Sequence, residues 1–163
     1  MSLNIRQATT LDVYSITELF RNTVTSINRQ DYTKEEIQVW AESAHNIARW
    51  EQKIATQYFL VAEINAQIVG FASINQAGNY LDFLYVHHHF QRQGIAQKLY
   101  NTLENYAIGQ QANEVTSNVS ITARPFFEKN GFEVLQPQQN LRQQVVLVNF
   151  KMRKTLKPNL TTR

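Results

Sequence analysis

A chain of 163 residues, 43% hydrophobic and 18% charged, suits one globular domain and not a disordered tail. The absence of cysteine excludes disulfides, thiolate metal sites and a cysteine nucleophile. No apolar run approaches the ~18 residues that span a bilayer, and the formal charge of +3 is only mildly basic.

Residues 3 to 8, "LNIRQA", read as a first strand. A helix follows with Val13, Ile16, Phe20, Val24 and Ile27 on one face, capped by Thr9 or Thr10 and with Asp12 in its first turn. "TKEEIQVWAES" and "NIARWEQKI" read as two further helices. The period then changes: "QYFLVAEI" and "QIVGFASIN" are strands of a hairpin joined at "NAQ", and "YLDFLYV" is another strand after the turn signal "QAGN". A helix from Gly94 to about Ile108 comes next. Then come the strand "EVTSNVS", a short helix over "TARPFFEKN" closed by Gly131, and an antiparallel pair, "FEVLQP" with "QVVLVNFKM". The order is wrong for a Rossmann fold, and no GxxxxGK phosphate loop is present.

In "FQRQGIAQKLYNTLE", residues 90–104, a glycine stands where a loop becomes a helix. The first N–H groups of such a helix lack intrahelical acceptors and carry the positive end of its dipole, which attracts phosphate. Gly94 lets another group approach the backbone, and Arg92 can pair with phosphate from the side. The plain alternative is a glycine that merely starts a helix whose Ile95, Leu99 and Leu103 face the core.

Three motifs, in this order and over nearly the whole chain, resemble the Gcn5-related N-acetyltransferase (GNAT) family. "LYVHHHFQRQGIAQKLY" is similar to the family's acetyl-CoA signature, "ARPFFEKNGFEV" to its later helix-then-strand segment, and "INRQDYTKEEIQVWA" to the acceptor side of one bacterial branch. The resemblance implies a mixed α/β GNAT fold, with a mostly antiparallel sheet of six or seven strands splayed between strands 4 and 5 and flanked by helices. It implies a single domain over 1–157 with a tail at 158–163. It also implies that acetyl-CoA is held by Gln91, Arg92, Gln93, Gly94, Ile95, Ala96 and Gln97 at its pyrophosphate, by backbone near Leu84, Tyr85 and Val86 along the pantetheine, and by Ser120, Phe127 and Lys129 beyond it. A backbone N–H on the fourth strand would then stabilise an oxyanion. Two positions depart from the family pattern: Phe127 replaces the usual tyrosine that protonates the leaving thiolate, and Ser120 replaces a pantetheine-holding asparagine.

Asp82, a carboxylate in an otherwise apolar strand and on the parity of Leu84, is the candidate base, with Ser120 orienting water or cofactor; an exposed strand edge is the structural alternative. Tyr32 and Trp40 are candidate walls of an acceptor pocket, or else core. Glu35 and Glu36 read as a solvated first turn. His87, His88 and His89, consecutive on an extended segment, point alternately, so no metal is expected. The reading is transfer of acetyl from acetyl-CoA to a primary amine, on a small molecule or peptide, by direct attack in a ternary complex. The alternative is a catalytically quiet acyl-CoA-binding module, motivated by Phe127. The basic pI near 9.2 and the cluster "KMRKTLK" raise nucleic acid as a third reading. The expectation is no nucleic-acid or membrane partner, with a homodimer as one option, and a cytoplasmic location, since the first residues lack a signal peptide's apolar core.

Overall fold

The structure, a computed structural model, describes residues 2–156; the tail expected at 158–163 lies outside the described residues. Strand β1 (Leu3–Gln7) leads through a short 3-10 turn at Thr10–Asp12 into α1 (Val13–Ser26). The Thr9 hydroxyl accepts from the Leu11 N–H, and the Asp12 carboxylate accepts from the Thr9 N–H, which closes the helix start. Helix α2 (Lys34–Glu42) has a reciprocal cap between Thr33 and Glu36, so Glu36 is engaged and not merely solvated. Helix α3 (Ile47–Thr56) starts at Asn46, whose side chain accepts from the Arg49 N–H.

Next come β2 (Tyr58–Ile64), β3 (Gln67–Ile74), β4 (Leu81–Val86), α4 (Ile95–Gly109), β5 (Glu114–Ser120), α5 (Arg124–Lys129), β6 (Glu133–Arg142) and β7 (Val145–Thr155). The seven strands form two antiparallel sheets, ordered β1-β2-β3-β4 and β5-β7-β6. They touch through one parallel bridge, Tyr80 to Thr116. The last two strands run longer than their apolar stretches. Pro137 is tolerated because β6 lies at a sheet edge, and the hairpin turns on Gln143 and Gln144, both at positive φ, without the glycine or asparagine that marks such turns in sequence.

Two apolar layers cover the first sheet. Helix α4 packs Ile95, Leu99 and Leu103 against Leu60, Ala62, Leu81 and Val86. A Cβ on Gly70 would stand 3.1 Å from a Leu99 methyl, so this glycine allows the helix its close approach. On the other face Phe20, Trp50, Phe59 and Phe71 join α1 and α3 to the sheet.

Arg6 ties β1 to β2 and to the start of α1 through two forks: Nε and Nη2 donate to Glu63 at 3.0 and 3.1 Å, and Nη1 and Nη2 to Asp12 at 2.9 Å each. The guanidinium bonds hold both carboxyls below their usual range against the opposing effect of burial. Carboxyls that titrate lower when folded give stability that is complete above their ordinary values, near pH 4, and lost as pH falls through the folded ones. Thermal melts of Arg6→Gln are therefore expected to depend less on pH than wild type between about pH 5 and pH 2. Parallel curves for the two proteins would show that the forks do not couple to folding.

Candidate active site

Beyond the Tyr80–Thr116 bridge, β4 and β5 part. Thr116 N–H donates to the Asn79 carbonyl at 3.0 Å, and the Ser117 hydroxyl, in place of a backbone group, donates to the Leu81 carbonyl at 2.8 Å. A cavity of about 560 Å³ opens where the ladder stops, lined by both strands, by α1 to α3 and by the β6–β7 hairpin. His87 N–H pairs with the Val69 carbonyl at 2.8 Å, so in the alternating ladder residues 83, 85 and 87 face β3. The N–H and carbonyl groups of Leu84 and Val86 therefore face the cleft. The Val86 carbonyl is already in use: Gln91 Nε2 donates to it at 2.6 Å, and Thr23 Oγ1 lies at 3.4 Å.

The loop after β4 carries two residues in the left-handed region, Arg92 at φ 62° and Gly94 at φ 79°. Gly94 is the N-cap of α4, so the helix begins at Ile95. A Cβ on Gly94 would meet nothing within 4 Å, so the approach to the free N–H groups is open. Gln93 is exposed beside it, and Ala96 lines the cavity. Ile95 is 3% exposed and buries its side chain in the core, which leaves only its backbone for a ligand. Gln97 bridges Asn101 and Asn130, both at 2.8 Å. Lys129 is exposed and does not line the cavity.

Asp82 is placed differently from the simple alternation of the strand. Ser73 faces Phe83 and Ile74 faces Leu81, so Asp82 is the extra residue of a β-bulge. Leu81, Leu84 and Val86 pack on the α4 side and Phe83 and Tyr85 on the other. The bulge breaks the expected parity with Leu84 and turns Asp82 toward α3. There Oδ2 accepts from Lys53 Nζ at 2.6 Å and from Gln57 Nε2 at 2.8 Å. The side chain is 11% exposed and lines the cavity. Among the described residues Oδ1 takes no hydrogen bond, and Asp82 is the only carboxylate in the cavity lining. Lys53, which also lies over the Phe83 ring, and Gln57 carry no mark of this role in the sequence, because only the register of α3 against the bulge brings them to Asp82.

Ser120 lines the cavity, and its hydroxyl accepts from the Ala123 N–H at 3.1 Å, shaping the turn into α5 while its own proton stays available. Phe127 is 4% exposed, wedged edge-on against Phe126 and Phe132, with no proton to give. Tyr80 and Tyr85 also border the cavity; burial, with Asp82's charge adding to it, pushes both phenols above their ordinary pKa. The histidines enter a 3-10 turn, with His87 as its N-cap and His88 and His89 inside it, and not an extended segment; His87 stacks on His88 at 4.4 Å and His89 lies tilted to His88 at 4.1 Å. Among the described residues no three His, Asp or Glu side chains are placed to share an ion.

Tyr32 and Trp40 both line the cavity, edge-on to each other at 5.1 Å. Tyr32 is only 8% exposed, and its hydroxyl donates to the Val148 carbonyl at 2.6 Å and accepts from the Ile121 N–H at 2.9 Å. It ties α2's approach to the parted end of β5 and to β7. Tyr32→Phe leaves both backbone groups without that partner and is expected to cost about 1–3 kcal/mol, a fall of several degrees in melting temperature. An unchanged melting temperature would show that the bridge is not structural.

A sheet parted between two parallel neighbours, beside a helix start held open by glycine, is the architecture of an acyl-transferring GNAT fold. The chain belongs to the GNAT acetyltransferase family: the profile of the acetyltransferase (GNAT) domain matches residues 28–156. It is 34% identical over 152 residues to the uncharacterized N-acetyltransferase YafP of Escherichia coli (strain K12), covering 93% of this chain and 95% of that one. The crystal structure of a GCN5-related N-acetyltransferase from Rhodopseudomonas palustris superposes with a TM-score of 0.91 at 26% identity, over 96% of this chain and 97% of that one. The PaiA N-acetyltransferase of Thermoplasma acidophilum, solved in complex with coenzyme A, has the same fold, with a TM-score of 0.78 at 21% identity over 96% and 100% of the two chains.

Proposed function

We propose that the protein transfers acetyl from acetyl-CoA to a primary amine by direct attack in a ternary complex. The observation that carries this is the cavity between β4 and β5. It brings strand backbone with no ladder partner and a carboxylate together in one space, and Ala96, in the first turn of the open helix, reaches its lining. Acetyl-CoA supplies a thioester whose acyl carbon a neutral amine can attack. Gly94 and the N–H groups of Ile95 and Ala96 would hold its diphosphate, with Arg92 beside them. The backbone of Leu84 and Val86 would take the extended arm, which requires Gln91 to release the Val86 carbonyl, and an N–H there would stabilise charge gathering on the acyl oxygen. That the PaiA neighbour was solved with coenzyme A on the same fold supports a coenzyme A ligand here.

Asp82 would take the proton of the incoming ammonium through water at Oδ1. The neutral amine then adds to the acyl carbon, the adduct expels the thiolate as the C–S bond breaks, and the nitrogen's second proton passes to water; the thiolate leaves unassisted, since a thiol with pKa near 8.5 is a fair leaving group. Initial rates measured while varying both substrates should give intersecting double-reciprocal lines. Parallel lines would overturn direct attack. The second reading, a quiet acyl-CoA-binding module, is favoured by Phe127 alone.

A further inference from the structure

The cavity that borders Asp82 is cationic. Among the described residues Arg49 of α3, Lys53 and Arg142 at the tip of the β6–β7 hairpin line it, against the single carboxylate. Asp82 is already neutralised by Lys53 at 2.6 Å. The two arginines are not. Among the described residues the Arg49 guanidinium has no hydrogen bond or ion pair, and Arg142 donates only to its neighbour's carbonyl, Leu141, at 3.3 Å. Three acids have hydrogen-bond partners of their own: Asp31 accepts from the Thr122 hydroxyl, Glu36 caps α2, and Glu42 accepts from Gln143. None of the three lines the cavity.

Neither arginine lies where the diphosphate of coenzyme A would. That site is at the start of α4, on the opposite face of β4 from α3, and the Gln143–Glu42 bond docks the hairpin tip on α2. The cavity wall is also rich in amides. Asn118 donates to the Tyr80 hydroxyl at 3.2 Å and accepts from Gln138 at 3.0 Å, and Asn140 lines the cavity beside Arg142.

We propose that the acceptor is an amine that also carries an anionic group, a carboxylate or a phosphate, bound by Arg49 and Arg142 while its amine reaches Asp82. Planar guanidinium forks match such oxyanions in pairs. A second positive charge on the acceptor would instead meet two unpaired cations, which disfavours polyamines. The inference rests on the acetyltransferase reading above.

The test compares kcat/KM for 4-aminobutyrate, 2-aminoethyl phosphate, butylamine and putrescine, followed by thiol release, in wild type, Arg49→Gln and Arg142→Gln. Either anionic amine should exceed butylamine and putrescine by about tenfold or more, and the better of the two tells carboxylate from phosphate. Each variant should shrink the anionic-to-butylamine ratio about tenfold. A preference for butylamine or putrescine, or a ratio unchanged in both variants, overturns the anionic acceptor while leaving acetyl transfer standing. Acetylation of none of the four amines or of any wider amine panel sinks the acetyltransferase reading itself.

Discussion

Asp82→Asn is expected to lower turnover about 10²-fold, the ordinary scale for losing a general base, while coenzyme A affinity stays within about twofold. An alkylammonium has no lone pair and, with a pKa near 10, is mostly protonated at pH 7, so some group must accept its proton. Among the described residues Asp82 is the cavity's only carboxylate, and its Oδ2 is pinned by Lys53 and Gln57, which leaves Oδ1 for water. Asparagine keeps the shape and can still accept from Gln57. It loses both the charge that pairs with Lys53 and the capacity to take a proton. Lys53 is only partly buried, so its unpaired charge should cost modest stability, about 1 kcal/mol, and the fold should survive. A pH–rate profile of both proteins decides between a base and a structural carboxylate. The base-dependent limb should be lost in the mutant; wild-type turnover with the same limb would assign Asp82 to structure alone.

Gly94→Val should weaken coenzyme A binding by about tenfold or more, the equivalent of losing one charge-assisted hydrogen bond worth ~1.5–3 kcal/mol. The position combines φ 79°, which a β-branched residue adopts at a cost of about 1–2 kcal/mol, with open space where the new side chain would stand. Strain and obstruction separate by experiment. Gly94→Ala shares most of the strain but projects less, so both variants should melt lower while valine loses more affinity. Calorimetry that shows unchanged coenzyme A affinity in folded Gly94→Val would move the diphosphate elsewhere.

Much of this was readable from residue order. The element sequence, the hairpin at Asn65 and Ala66, the helix opened at Gly94 and the parting of the fourth and fifth strands all follow from periodicity, glycine position and the family motifs. Local chemistry was less legible. Alternation placed Asp82 with Leu84, yet a bulge is one inserted residue with no compositional mark, and it re-aims that side chain. Tyr32 reads as an amphipathic aromatic, and nothing in α2's sequence says that its hydroxyl will bind backbone at residues 121 and 148. The histidine run carries no mark of its turn, because a 3-10 turn of three residues has too short a period to show. Arg49 and Arg142, 93 positions apart in number, meet in one cavity only after the β6–β7 hairpin folds onto α2.

A cavity that moves an acetyl group differs in its products from one that only holds the carrier. The direct measurement is mass spectrometry of an amine panel incubated with acetyl-CoA and the protein, with free thiol counted in the same sample. N-acetylated amine and released thiol are expected in equal amounts, both falling about 10²-fold with Asp82→Asn. Coenzyme A binding without acetylated product or amine-dependent thiol release would contradict acetyl transfer.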